Sequence, residues 1–243
     1  MKGSDRSRDA EQPRGYGRPV LAAVVITLVV AGLAWVLPED FSATGIGLAF
    51  LAATYVLVLR NGDDAAVRHA GLSLGGVLER DPLRAKRVIR DALRAAAQAI
   101  AVALIVLPPF WVGFYYWYQP RHAFDAAAVT GMGSEVLGQL LVIALPEEAF
   151  YRGYLQTRLD DVFGTRRRLL GAPVGPGLLV TSLLFAIGHL ATEAHPTRLA
   201  VFFPSLLFGW MRARTGSIGS AVALHAACNL FASYLTRSYG LGG

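Results

Sequence analysis

From Val20 to Leu37, and again from Ser42 to Leu59, the chain runs 18 residues without a charged side chain. A helix of that length covers about 27 Å at ~1.5 Å per residue, close to the ~30 Å hydrocarbon core of a bilayer. Lipid offers peptide groups no water to bond to, so such runs must satisfy their own N–H and C=O groups as helices. The whole composition agrees: 54% of the 243 residues are hydrophobic, 16% are charged, and the mean hydropathy is +0.44. These values describe a multi-spanning membrane protein and exclude an ordinary soluble globule.

Residues 1–18 are polar, rich in Arg, Asp and Gly, and lack apolar periodicity, which predicts a disordered cytoplasmic tail. The tail is long and no Ala-x-Ala site closes the first apolar run, so that run is read as a span and not as a cleaved signal peptide. Val20–Leu37 and Ser42–Leu59 are the first two spans. Val77–Leu93 mixes apolar residues with Arg80, Arg84, Lys86, Arg87 and Arg90, which predicts a basic amphipathic helix on the anionic inner leaflet. Ala96–Tyr118 is a third span, ending in an aromatic belt from Trp111 to Tyr118. Four more follow at about Ser134–Arg158, Val174–Ala191, Leu199–Met211 and Ser217–Leu235, with a basic loop at Arg166, Arg167 and Arg168.

With the N-terminus inside, 19 of the 23 Lys and Arg residues fall on the inner side and three on the outer. That asymmetry is the positive-inside rule, and it accounts for the formal charge of +6 and the pI of 9.8 without any nucleic-acid partner. The expected fold is therefore all-α: a polytopic membrane helical bundle of about seven transmembrane helices plus one basic amphipathic interfacial helix. Membrane lipids are its expected surroundings. The single cysteine, Cys228, rules out an internal disulfide.

The segment Leu140–Tyr154, LLVIALPEEAFYRGY, breaks the membrane pattern. It begins as apolar helix and then places two glutamates and an arginine where hydrocarbon should continue. Each ionisable group at that depth costs about 2.5–3.5 kcal/mol even on the lenient insertion scale, so such groups mark function. On a helix, Glu148 and Arg152 stand four apart with the acid first, the better order for an ion pair. Glu147 points about 100° away and is left without that partner. Pro146 has no N–H to give and releases the Val142 carbonyl, which suits a helix kinked beside a polar cavity.

Two histidines also lie inside spans: His189 in FAIGH and His225 in HAACN, with Asn229 four residues after His225 on the same helix face. Counted from the inner ends of their spans, Glu147, His189, His225 and Asn229 sit roughly 12–22 Å into the membrane, so one chamber can hold all four. A glutamate with a histidine can hold a water and take its proton. A second histidine with an asparagine can donate to the oxyanion that forms when the water attacks a carbonyl.

The blocks EEAFYRG, FAIGH and HAACN resemble the EExxxR, FxxxH and HxxxN motifs of the CPBP family of glutamic intramembrane proteases, which includes the CAAX prenyl endopeptidases and bacterial Abi proteins. The likeness covers about Leu140–Ser233. It implies that Glu147 and His189 activate water, that His225 and Asn229 stabilise the oxyanion, and that Glu148 and Arg152 form a supporting pair. Phe185 would be a wall or substrate contact, or plain packing. The resemblance implies a peptidase needing no metal and no cofactor. Its substrate would be a protein or peptide with a hydrophobic or lipidated C-terminal segment. Taken with the spans read above, the chain divides into the tail 1–18, N-terminal membrane helices and interfacial helix at 19–133, and a catalytic core at 134–243, expected in a bacterial cytoplasmic membrane.

Three other readings exist. A transporter or proton relay also uses buried acids, but gives no reason for the two histidine blocks. A zinc protease could draw ligands from Glu147, Glu148, His189 and His225, although no HExxH frame is present. Cys228 with His225 would suit a thiol protease, yet a lone membrane-helix cysteine is ordinarily apolar filler.

Overall fold

The computed structural model describes residues 15–241, so most of the expected tail lies outside the described residues. The last of those tail positions, Gly17 and Arg18, already belong to α1, Gly17–Val36, which starts earlier than expected because Pro19 is compatible with a first helical turn. A turn at Pro38 leads into α2, Glu39–Thr54, which continues through a π-helical turn at Tyr55–Leu59. A short α3, Asp64–His69, is capped by Asp63, whose side chain accepts from the Ala66 N–H at 2.8 Å.

The separate interfacial helix is not formed. Instead α4 runs unbroken from Ala85 to Tyr118, 34 residues, and Val77–Arg84 is not α-helical. The shift from basic to apolar composition near Ala95 is a change of surroundings and not of backbone, because no glycine or proline interrupts the chain until Pro108. At ~1.5 Å per residue α4 is about 51 Å long, so it must extend well past a ~30 Å hydrocarbon layer. Its basic end and the span expected after it are one rod.

The central helix, α5, covers residues 133–163 and alternates between two hydrogen-bond registers. Gly133–Leu137, Leu145–Glu148 and Thr157–Phe163 are α-helical, whereas Gly138–Ala144 and Ala149–Gln156 are π-helical. The basic loop is a small antiparallel hairpin, β1 Arg167–Leu169 with β2 Ala172–Val174. Then come α6, Pro176–Thr192, a 3₁₀ segment at Pro196–Val201, α7, Phe202–Thr215, and α8, Gly219–Ser238.

The architecture is an all-α membrane bundle, with α5 in contact with α2, α6, α7 and α8, and α8 packed on α4. Among the described residues, three helices, Gly17–Val36, Glu39–Leu59 and Ala85–Tyr118, are long and apolar enough to cross a membrane. Large apolar side chains cover the outside: Leu28, Ile105 and Tyr116 are 68%, 73% and 71% exposed. Water would penalise such a surface, and lipid does not. The main core forms where α5 meets α1, α2 and α6, around Phe50, Phe150, Tyr151 and Phe185.

Candidate active site

The first motif sits between the two π segments. Pro146 cannot donate, and the preceding turn already bonds one residue further back, Leu145 N–H to the Leu140 carbonyl. The expected disturbance at Pro146 is thus met by a widened helix, a feature that recurs at functional sites. The Val142 carbonyl faces Gly47 of α2 so closely that a β-carbon there would lie 2.5 Å from its oxygen. Glycine at 47 lets α2 press against the helix that carries the glutamates.

Glu148 and Arg152 are both fully buried and pair as their spacing demands, Nη1 to Oε1 at 3.0 Å. Arg152 also donates through Nη2 to the Ser205 carbonyl at 3.0 Å and to Ser205 Oγ at 2.6 Å. Its guanidinium lies over Phe185 at 4.6 Å and over Phe208 at 5.4 Å. One turn further on, Gln156 donates to the Gly209 carbonyl at 3.1 Å. Residues 152 and 156 of α5 therefore meet 205 and 209 of α7 with matched i, i+4 spacing. Ser205 and Gln156 carried no motif; the polar residue within FFPSLLFGW was the only trace of this contact in the sequence.

Glu147 is placed differently. Its side chain is 12% exposed, and its Oε2 is buried without a hydrogen-bond partner among the described residues. It lines a cavity of about 160 Å³, enough for several waters, together with His189, Tyr151 and Gly188. Val30 of α1 and Ala43, Ile46, Gly47 and Phe50 of α2 close the other side. The N-terminal helices thus complete the chamber, a role that no motif announced. Gly188 is there because a β-carbon would come within 2.8 Å of the Tyr151 hydroxyl.

His189 is oriented by its own helix: Nδ1 lies 3.0 Å from the Phe185 carbonyl. A carbonyl only accepts, so Nδ1 carries the proton and Nε2 of the neutral ring is an acceptor. His225 stands between the two acids, with Nδ1 at 2.9 Å from Glu148 Oε1 and Nε2 at 3.9 Å from Glu147 Oε2. It stacks on Phe208 at 4.7 Å. Asn229 donates through Nδ2 to Gln139 Oε1 at 2.9 Å, a partner that the motif spacing did not reveal. Phe185, 1% exposed, packs against Arg152, Tyr151 and His189 and is not on the cavity lining. Cys228 is half-buried.

All three motif blocks lie within residues 130–231, which match the family described as type II CAAX prenyl endopeptidase Rce1-like. That stretch is similar to the CAAX proteases and marks an Rce1-like domain. The chain's apolar helices fit an integral membrane protein, and an Rce1-like domain implies a peptidase, a hydrolase acting on protein substrates. No curated protein and no solved structure matches the chain. Within the Rce1-like domain lie Glu147, Glu148, Arg152, His189, His225 and Asn229, whereas the α1 and α2 walls of the cavity come from outside it.

Proposed function

We propose that this chain is a CAAX-type protease that works by a glutamic mechanism, with Glu147 as the base. The observation that carries the reading is the division of labour between adjacent acids. Glu148 gives Oε1 to both Arg152 and His225 inside the protein, while Glu147 lines a cavity that also holds His189. In this mechanism Glu147 and the acceptor Nε2 of His189 hold a water, remove its proton and direct it at a peptide carbonyl. His225, held by Glu148 at Nδ1, and Asn229 donate to the oxyanion that follows. Glu148 and Arg152 position these groups, and Phe185 sets the rings that surround them.

A zinc mechanism needs three donors converging on one point. Among the described residues the three-donor group whose ligand atoms lie within 4.8 Å of one another is Asp64, Glu79 and Asp81, not the glutamates and histidines of the cavity. The glutamic reading therefore has the better geometric support. The substrate we propose is a protein with a hydrophobic or lipidated C-terminal segment, processed in a bacterial cytoplasmic membrane by a seven-span enzyme with its N-terminus inside. Residues 134–243 form its catalytic core.

Comparing the C-termini of membrane and secreted proteins from cells making the wild-type or the Glu147→Gln protein tests this. One class of processed termini should disappear with the variant, and cleavage by purified enzyme should fall at least ~10²-fold. Undiminished cleavage by Glu147→Gln would remove the proposed base.

A further inference from the structure

Among the described residues, Arg198 is the one arginine or lysine on the lining of the cavity that holds Glu147 and His189. It belongs to the 3₁₀ segment Pro196–Val201, where the chain leaves α6 and turns into α7. Its side chain is 38% exposed, against 12% for Glu147, so it lies nearer the rim while the acid lies deeper. Glu193, 63% exposed, approaches Arg198 Nε at 3.2 Å, but no hydrogen bond is formed, and Nε remains buried without a partner among the described residues. An ion pair that exposed is worth ~1 kcal/mol or less and exchanges readily. A planar guanidinium is thus held at an apolar cavity with a weak, displaceable counter-ion.

Such a group matches a carboxylate, which it can take through two parallel N–H donors. Resting on the peptidase reading above, we propose that Arg198 receives the C-terminal carboxylate of the substrate. The terminus is anchored at the rim, the last side chains lie along Ile46, Phe50 and Val142, and the scissile carbonyl reaches Glu147 and His189. Arg198 is then a specificity residue that measures the distance from terminus to cleaved bond. Glu193 is its resting partner, which the substrate displaces.

The probe is a quenched fluorescent peptide with an S-farnesyl cysteine followed by three apolar residues, made as the free acid and as the carboxamide. Wild-type enzyme should cleave the acid with a KM ~10-fold or more below that of the amide. Arg198→Gln should raise the KM of the acid to that of the amide and leave the amide unchanged, and Glu193→Gln should lower the KM of the acid. Equal KM values for the two peptides in the wild type, or an equal loss for both in Arg198→Gln, overturns the proposal. Fluorescence polarisation with the Glu147→Gln protein makes the same comparison without turnover. An acid preference that vanishes in Glu147→Gln/Arg198→Gln supports the anchor, while equal binding of the two forms, or none, overturns it. Acid preference in binding together with full cleavage by Glu147→Gln counts against the catalytic reading and not against Arg198.

Discussion

Replacing Arg152 by methionine tests how the two acids came to differ. The substitution keeps a long flexible side chain, so little cavity is created and the loss is electrostatic. Glu148 is left buried with His225 as its remaining partner, and Ser205 loses the donor to its hydroxyl and carbonyl. Removing one member of a buried pair costs about 3–5 kcal/mol because the other charge stays in a poor medium. Release of the arginine's own desolvation is already part of that range, and His225 offsets some of it, so we expect about 3 kcal/mol of destabilisation. Glu148→Gln/Arg152→Met should recover at least ~1 kcal/mol relative to the sum of the single changes, since neither charge is then stranded. Unfolding midpoints of the four proteins in bicelles form the cycle. An Arg152→Met protein within ~0.5 kcal/mol of wild type, or strict additivity in the double variant, would refute the reasoning.

Other expectations follow from the same contacts. Gly188→Ala puts a β-carbon 2.8 Å from the Tyr151 hydroxyl, which must shift toward the cavity; steady-state kinetics should show turnover lost while the unfolding midpoint falls by no more than ~1–3 kcal/mol equivalent. Stability should also depend on pH through two groups beyond the membrane segments. Glu79 is held near 2, below its ordinary 4.5, by hydrogen bonds from Arg87 and Ser73. The unfolded chain binds the extra proton there, so this stabilisation is present above pH 4.5 and is lost as pH falls toward 2. Asp160, past Arg158 at the arginine-rich end of α5, is raised by burial from 3.8 to about 6. Here the folded chain binds the extra proton, so stability is greatest below pH 3.8 and declines as pH rises through 6. Unfolding midpoints across pH should lose the first slope in Glu79→Gln and the second in Asp160→Asn.

Several features of the site were legible in the sequence because they depend on one helix alone. The Glu148–Arg152 pair is set by a spacing of four, and the presence of His225 and Asn229 on one face follows from the same periodicity. The alternation of α and π turns in α5 was not legible: the wider register answers Pro146 and the close approach of Gly47, which lies some hundred residues earlier in the chain. The interfacial helix was misplaced for a related reason. Composition reports which solvent a residue faces, and α4 passes from one solvent to another without changing its hydrogen bonds.

By itself the sequence determined the class of the molecule and the inventory of its chemistry, since lipid permits only helices to carry such apolar runs and helical pitch fixes which nearby residues share a face. Tertiary structure alone decided what surrounds each acid. Ser205 and His225, 53 and 77 residues away from their partners, come to Arg152 and Glu148 only through the packing of α7 and α8 against α5. Once they occupy that pair, Glu147 is left facing a cavity whose far wall is built by α1 and α2, and no local spacing in the chain encodes that outcome.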